Sequence, residues 1–128
     1  MAIRCIVVTP ERTEIDCEAK SVKLPMFDGA LGILPGRAPM IGRLGFGTLH
    51  LDTAAGPQQY FVDGGFAQVE SNVVNILTSR AVSVDLLDVG EAEKALEEAH
   101  EMPSSSPEQA QLKQTAVRRA RGQLRSAR

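Results

Sequence analysis

Residues 26–41 read Met-Phe-Asp-Gly-Ala-Leu-Gly-Ile-Leu-Pro-Gly-Arg-Ala-Pro-Met-Ile. Glycines at 29, 32 and 36 and prolines at 35 and 39 interrupt an apolar run. Glycine permits positive φ and close backbone approach. Proline fixes φ near −65° and removes a donor. Together they predict a shaped, rigid loop with an apolar centre. A tight turn inside a β-sandwich accounts for the same residues.

The chain around that segment favours strands. Ile3, Cys5 and Val7 alternate with Arg4, Ile6 and Val8, and Thr9-Pro10-Glu11-Arg12 is a turn. Ile15, Cys17 and Ala19 alternate with charged neighbours. The alternation shifts at Ser21-Val22, which predicts a β-bulge near Ser21, because a one-residue slip moves every later side chain to the other face. Leu44–Leu51 and Gln59–Val62 read as further strands, and Ser71-Asn72 separates Phe66–Glu70 from Val73–Leu77 as a short hairpin. Many short strands with frequent turns predict a β-sandwich or flattened barrel over residues 1–85. A hairpin about Thr9–Thr13 would set Cys5 opposite Cys17, where two buried, reduced thiols are expected.

The pattern changes over 86–128. Val89, Ala92, Leu96 and Ala99 recur at helical spacing among glutamates, behind Asp88 as an acidic N-cap with Glu91 three residues on. Met102–Pro107 cannot continue that helix. Ser106 then caps a second helix, with Pro107 at its first position and Gln109 at its third. The expectation is an antiparallel helical hairpin with an alanine-rich and therefore weak seam.

A net charge of −2 argues against a nucleic-acid footprint spread over the chain. The charge is segregated, however. Residues 86–106 carry six acidic side chains and one basic, whereas 107–128 carry six basic and one acidic. Two mutually attracting helices, or a basic tail seeking an acidic partner, would follow. The N-terminus enters a strand at once, without a cleavable apolar region, so a soluble chain that stays where it is made is expected.

Catalytic and metal-binding constellations are missing from the sequence. His50 is expected on a strand face, and His100 in the last turn of the first tail helix, where a cation suits the helix dipole. No C-x-x-C, H-E-x-x-H or nucleophile elbow occurs. Gly36-Arg37-Ala38 lacks the Lys-Ser/Thr of a phosphate-binding loop. Asp63 beside Gly64 reads as a turn or bulge device.

Gly29–Pro39 resembles the G-x-L-G-I-x-P-G-[HR]-A-P signature of the epsilon subunit of F-type ATP synthases, called delta in mitochondria. Phe61–Val69, with its Gly-Gly-Phe, and Asn72–Leu77 are similar to the same family, and the resemblance covers nearly the whole chain. It implies a non-catalytic rotor subunit of a proton-translocating synthase that links the gamma subunit to the c-ring without a cofactor. It would lie in the F1 sector, peripheral on the cytoplasmic face of a bacterial plasma membrane, with no insertion into the bilayer. The implied rotor interface is Gly29, Ala30, Leu31, Gly32, Pro35, Gly36, Arg37, Ala38 and Pro39. Ala30 departs from the acidic or amide residue common at that place.

The resemblance also implies that the second tail helix, through Lys113, Arg118, Arg119, Arg121, Arg125 and Arg128, can engage an acidic loop of the beta subunits and restrain hydrolysis. The alternative for those arginines is pairing with Glu91–Glu101 of the neighbouring helix. Some family members bind ATP through I/L-D-x-x-R-A. Here Leu87, Asp88 and Ala92 fit that motif, but Glu91 occupies the arginine position. A carboxylate 4 Å from a phosphate charge costs about 4 kcal/mol at an effective dielectric of 20, so ATP binding is expected to be weak or absent. Two other functions remain open: a free-standing sandwich adaptor with a charged helical tail, and an ATP sensor acting alone.

Overall fold

Two long antiparallel strands carry the architecture. In a computed structural model describing residues 2–127, β5 (Met40–Thr53) and β6 (Gly56–Glu70) pair from Met40↔Val69 to Thr53↔Gly56. The other strands are β1 (Ile3–Val8), β2 (Thr13–Ala19), β3 (Ser21–Met26), β4 (Gly29–Ile33), β7 (Val73–Leu77) and β8 (Ala81–Ser83). The sheet order is β2-β1-β7-β6-β5-β3-β4, with β8 also on β6. The sheet folds over into a sandwich, and β2 and β4 remain as edges, so it is not closed. The β-sandwich followed by two helices is the architecture expected from the sequence.

The fold-over has a specific origin. On β5, Leu44 and Leu49 both point into the core, and on β6 so do Val62 and Ala67. Each pair is five residues apart, which simple alternation forbids. Both strands therefore reverse phase together, at Gly45 and at Gly64-Gly65. Gly65 has φ +106°, and a Cβ there would overlap the Leu77 carbonyl. Only glycine fits where β6 exchanges β8 for β7 as its neighbour.

Two details differ from the sequence reading. The phase shift near Ser21 is not a bulge. It is a corner: β2 ends at Ala19, Lys20 donates its amide to the Asp52 carbonyl at 2.7 Å, and β3 starts beside β5 instead of β1. The Met26–Ile41 segment is also not one continuous loop. Residues 27–28 turn tightly, Gly29–Ile33 form edge strand β4 paired with β3, and only residues 34–39 are loop. The local β-propensity of Ala30-Leu31-Gly32-Ile33 is satisfied by the free edge of β3.

The core holds Ile3, Cys5, Val7, Val22, Leu24, Ile33, Leu49, Leu51, Val69 and Ile76. Cys5 and Cys17 are direct partners in the β1–β2 register and both are free thiols, but only Cys5 is buried as expected; Cys17 is half-buried. Burial, reinforced by Cys17 and Asp16, pushes the Cys5 thiol up to about 12.

A 3-10 turn at Val84–Leu86 leads to α1 (Val89–His100) and α2 (Pro107–Ala127), which pack on each other. Asp88 caps α1, accepting from the Gly90 and Glu91 amides at 2.7 and 3.2 Å. Ser106 Oγ accepts from the Gln109 amide at 3.1 Å, and Gln109 reaches back to Ser105. The buried residues of the helices, Ala92 and Ala99 on α1 and Ala120 and Gly122 on α2, are all small, and Gly122 faces the sandwich at Phe46.

Phe61 points away from the sandwich core yet is fully buried. It lies on the outer face of β6, opposite Thr48 of β5 and Val82 of β8, on the side that α2 covers. A chain ending at Leu86 should therefore keep a single cooperative unfolding transition. Its stability should fall by about 2 kcal/mol, the value of burying one large apolar side chain. Chemical denaturation of the two lengths measures this; equal stability would show that the helices contribute no cover.

Candidate functional site: two outer faces

The two outer faces of the sandwich are treated differently. One is covered by the chain's own helix. α2 lies over Phe46, Thr48 and Asp63. Gly122 sits so close to the Phe46 carbonyl that any Cβ would overlap it. Thr48 and Ser126 share a hydrogen bond of 2.6 Å. Arg119 Nε donates to Asp63 Oδ1 at 2.7 Å, and its guanidinium lies 5.2 Å from the centre of the Phe46 ring. The Asp63 side chain is only 13% exposed. Ser79 Oγ also donates to Asp63, to its backbone carbonyl at 3.0 Å.

Of the two alternatives for the α2 arginines, pairing with α1 glutamates is not the one Arg119 takes. Arg119 leaves α1 and reaches a carboxylate on β6. Arg118 stacks over Phe27 at 4.7 Å from the ring centre. Arg118, Arg121 and Arg125 line a cleft of about 530 Å³ with Phe27, Phe46 and Leu124. Lys113 is half-buried on the same helix; Arg128 lies outside the described residues. Asp63, read from sequence as a turn device, is the sandwich's anchor for the helix. No local pattern could reveal this, because its partner is 56 residues away.

The cleft includes neither Asp88 nor Ala92. The Asp88 carboxylate is engaged in capping, and Ala92 is buried. His50 stands on β5 opposite Lys23; burial first, and the lysine second, lower its pKa from the ordinary value. Among the described residues no cluster of three metal-ligating side chains exists, and no helix is long and apolar enough to cross a membrane.

The other outer face carries an uncovered apolar row. Register places Val8 beside Leu77, Leu77 beside Phe66, and Phe66 beside Arg43. The Arg43 guanidinium then lies 4.2 Å from the centre of the Phe27 ring. Phe66 is 56% exposed, Leu77 59%, and Ile41, on the same face, 74%. Sequence reasoning missed this row. The signal was available in Gly64-Gly65-Phe66, since a phase reversal at the glycines turns Phe66 outward. The signature loop is exposed as well: Gly36, Arg37, Ala38 and Pro39 all face solvent, and so do Gly29, Ala30 and Gly32 on the edge strand, with Leu31 and Pro35 half-buried.

The fold is an open β-sandwich, one outer surface of which is covered by the chain's own helix while an apolar row elsewhere stays exposed. The comparisons with known proteins specify its family. The family model for the ATP synthase delta/epsilon chain beta-sandwich domain matches residues 2–84. The ATP synthase epsilon chain of Rhodopirellula baltica is 70% identical over 128 residues, covering 100% of both chains. That of Synechococcus elongatus is 38% identical over 131 residues, covering 99% of this chain and 96% of its own. A chain in the cryo-EM structure of Euglena gracilis mitochondrial ATP synthase, comprising OSCP, F1 and c-ring, superposes with a TM-score of 0.83 at 25% identity. The match covers 94% of this chain and 78% of that one. A chain of the Tetrahymena thermophila central stalk and c-ring shares the fold, with a TM-score of 0.77 at 12% identity. The chain belongs to the ATP synthase delta/epsilon family, and is a non-catalytic subunit of that complex.

A double-mutant cycle of Asp63→Asn and Arg119→Gln should give a coupling of about 1 kcal/mol, because one partner is shielded from solvent and the other only partly. Molar salt should shrink it. Additive effects in urea unfolding would mean that the pair does not hold the helix.

Proposed function

We propose that this chain joins the gamma subunit to the c-ring in the rotor of a proton-translocating F-type synthase. It would sit in the F1 sector, peripheral on the cytoplasmic face of a bacterial plasma membrane. The observation that carries this reading is the asymmetry of the two outer faces. Phe66, Leu77 and Ile41 form an exposed apolar surface although the chain's own helix covers Phe46 and Phe61 elsewhere on the sandwich. Such a surface fits a protein partner. The exposed loop at residues 34–39 supplies a second surface, in which Arg37 and Ala38 face solvent. The Euglena assembly, which contains both F1 and c-ring, supports the same placement.

Phe66→Glu and Ala38→Glu should each weaken assembly while leaving the isolated sandwich folded. A charge set into an interface core costs about 2 kcal/mol or more, roughly thirtyfold in affinity. Titration onto synthase depleted of this subunit measures the loss. Wild-type affinity for both variants would defeat the docking assignment.

The tail supports a regulatory reading of the same subunit. In the seated state Arg119 is held by Asp63 and Arg118 by Phe27, while Arg121 and Arg125 remain exposed. Released from the sandwich, the whole set with Lys113 would be free to meet an acidic loop of the beta subunits and restrain hydrolysis. Removing residues 87–128 should then raise ATP hydrolysis of the assembled enzyme. Neutralising Arg118, Arg119, Arg121 and Arg125 together should do much of the same, with a smaller difference at high salt. Equal rates for full-length, truncated and neutralised chains at both salt levels would make the tail a structural appendage.

A further inference from the structure

We infer that Asn72 is the positioning residue of the exposed loop 34–39: its side chain, by accepting the Gly36 amide, holds that loop in its docking shape. The inference rests on the proposed role of the loop in rotor assembly.

Three observations carry it. First, Ser71 and Asn72 have φ of +50° and +62°, so the β6–β7 connection is a two-residue turn with both central residues left-handed. Such turns match the twist of a hairpin and favour Asn, Asp or Gly. That requirement concerns the backbone alone, and glycine would meet it at least as well. Second, the side chain does something glycine cannot. Asn72 Oδ1 accepts the Gly36 amide at 2.7 Å, across 36 residues of sequence. The Asn72 carbonyl meanwhile accepts the Arg4 amide at 2.9 Å, which fixes the turn to β1.

Third, beyond the fixed φ of Pro35 and Pro39, the loop has little else to define it. Leu34, Gly36, Arg37, Ala38 and Pro39 are all exposed. The internal hydrogen bond from the Arg37 amide to the Leu34 carbonyl is long, at 3.3 Å. Gly36 itself sits at φ +85°, a conformation with several accessible alternatives for glycine. A loop of this kind pays ordering entropy on docking unless something orders it beforehand. The short bond from Gly36 to a turn clamped on both sides supplies that order.

The test uses two substitutions that leave the turn backbone content. Asn72→Gly keeps the left-handed geometry and removes the acceptor. Asn72→Asp keeps both the geometry and an acceptor. Thermal unfolding should be nearly unchanged in both. In the isolated chain, the Gly36 amide should exchange with solvent several times faster in Asn72→Gly than in wild type, and at the wild-type rate in Asn72→Asp. Titrated onto synthase depleted of this subunit, Asn72→Gly should bind about five- to tenfold more weakly, and Asn72→Asp should bind as wild type. Equal Gly36 exchange in all three proteins, or equal weakening by both substitutions, would overturn the inference. Normal binding of Asn72→Gly beside weak binding of Ala38→Glu would overturn it too, while leaving the loop's docking role intact. Normal binding of Ala38→Glu would instead remove the docking role, and the inference with it.

Discussion

The reversal of strand phase at Gly45 and Gly64-Gly65 decides what every surface of this molecule can do. Alternation alone would give Phe61 and Phe66 opposite orientations, because they are five residues apart. The close passage of Gly65 past the Leu77 carbonyl breaks that rule and turns both phenylalanines outward. One ends under the chain's own helix and the other faces solvent. The same break lets β5 and β6 serve both layers, so the core is closed by two long strands instead of separate sheets.

The small-residue character of the tail has a matching logic. Large apolar side chains would bind the helices firmly to each other and to the sandwich. Ala92, Ala99, Ala120 and Gly122 bury little area, so at about 25 cal/mol per Å² they contribute modestly. Directional contacts, from Arg119 to Asp63 and from Ser126 to Thr48, specify the seat. Their strength depends on salt and on geometry more than on area.

What the sequence revealed, and what it did not, divides along physical lines. Helix ends were legible because capping is local: Asp88, Ser106 and Gln109 act within four residues of their partners. The core positions of β1 to β3 were legible because they obey a two-residue period. The signature loop was legible as a motif, but its first half proved to be strand β4, since a free neighbouring edge captured it. The apolar row at Leu77, Phe66 and Ile41 was hidden by the phase reversal. The carboxylate that meets Arg119 was hidden by distance along the chain. Glutamates on the adjacent helix offered a plausible local partner, yet the geometry of α2 selects Asp63.

The missing side chain at Gly122 has one more implication. A helix turns by about 100° per residue. Rotating α2 by a single step would swing the Cβ of Arg121 or Gln123 toward the Phe46 carbonyl, where no Cβ fits. Sliding or rolling are therefore blocked by steric overlap, and intermediate placements gain neither the close backbone contact nor the aligned polar bonds. On the regulatory reading proposed above, the hairpin would have two kinds of state, seated in one register or lifted away. Signals acting on it would be read as a fraction of molecules seated, not as a graded tilt, and the tail would behave as a digital element.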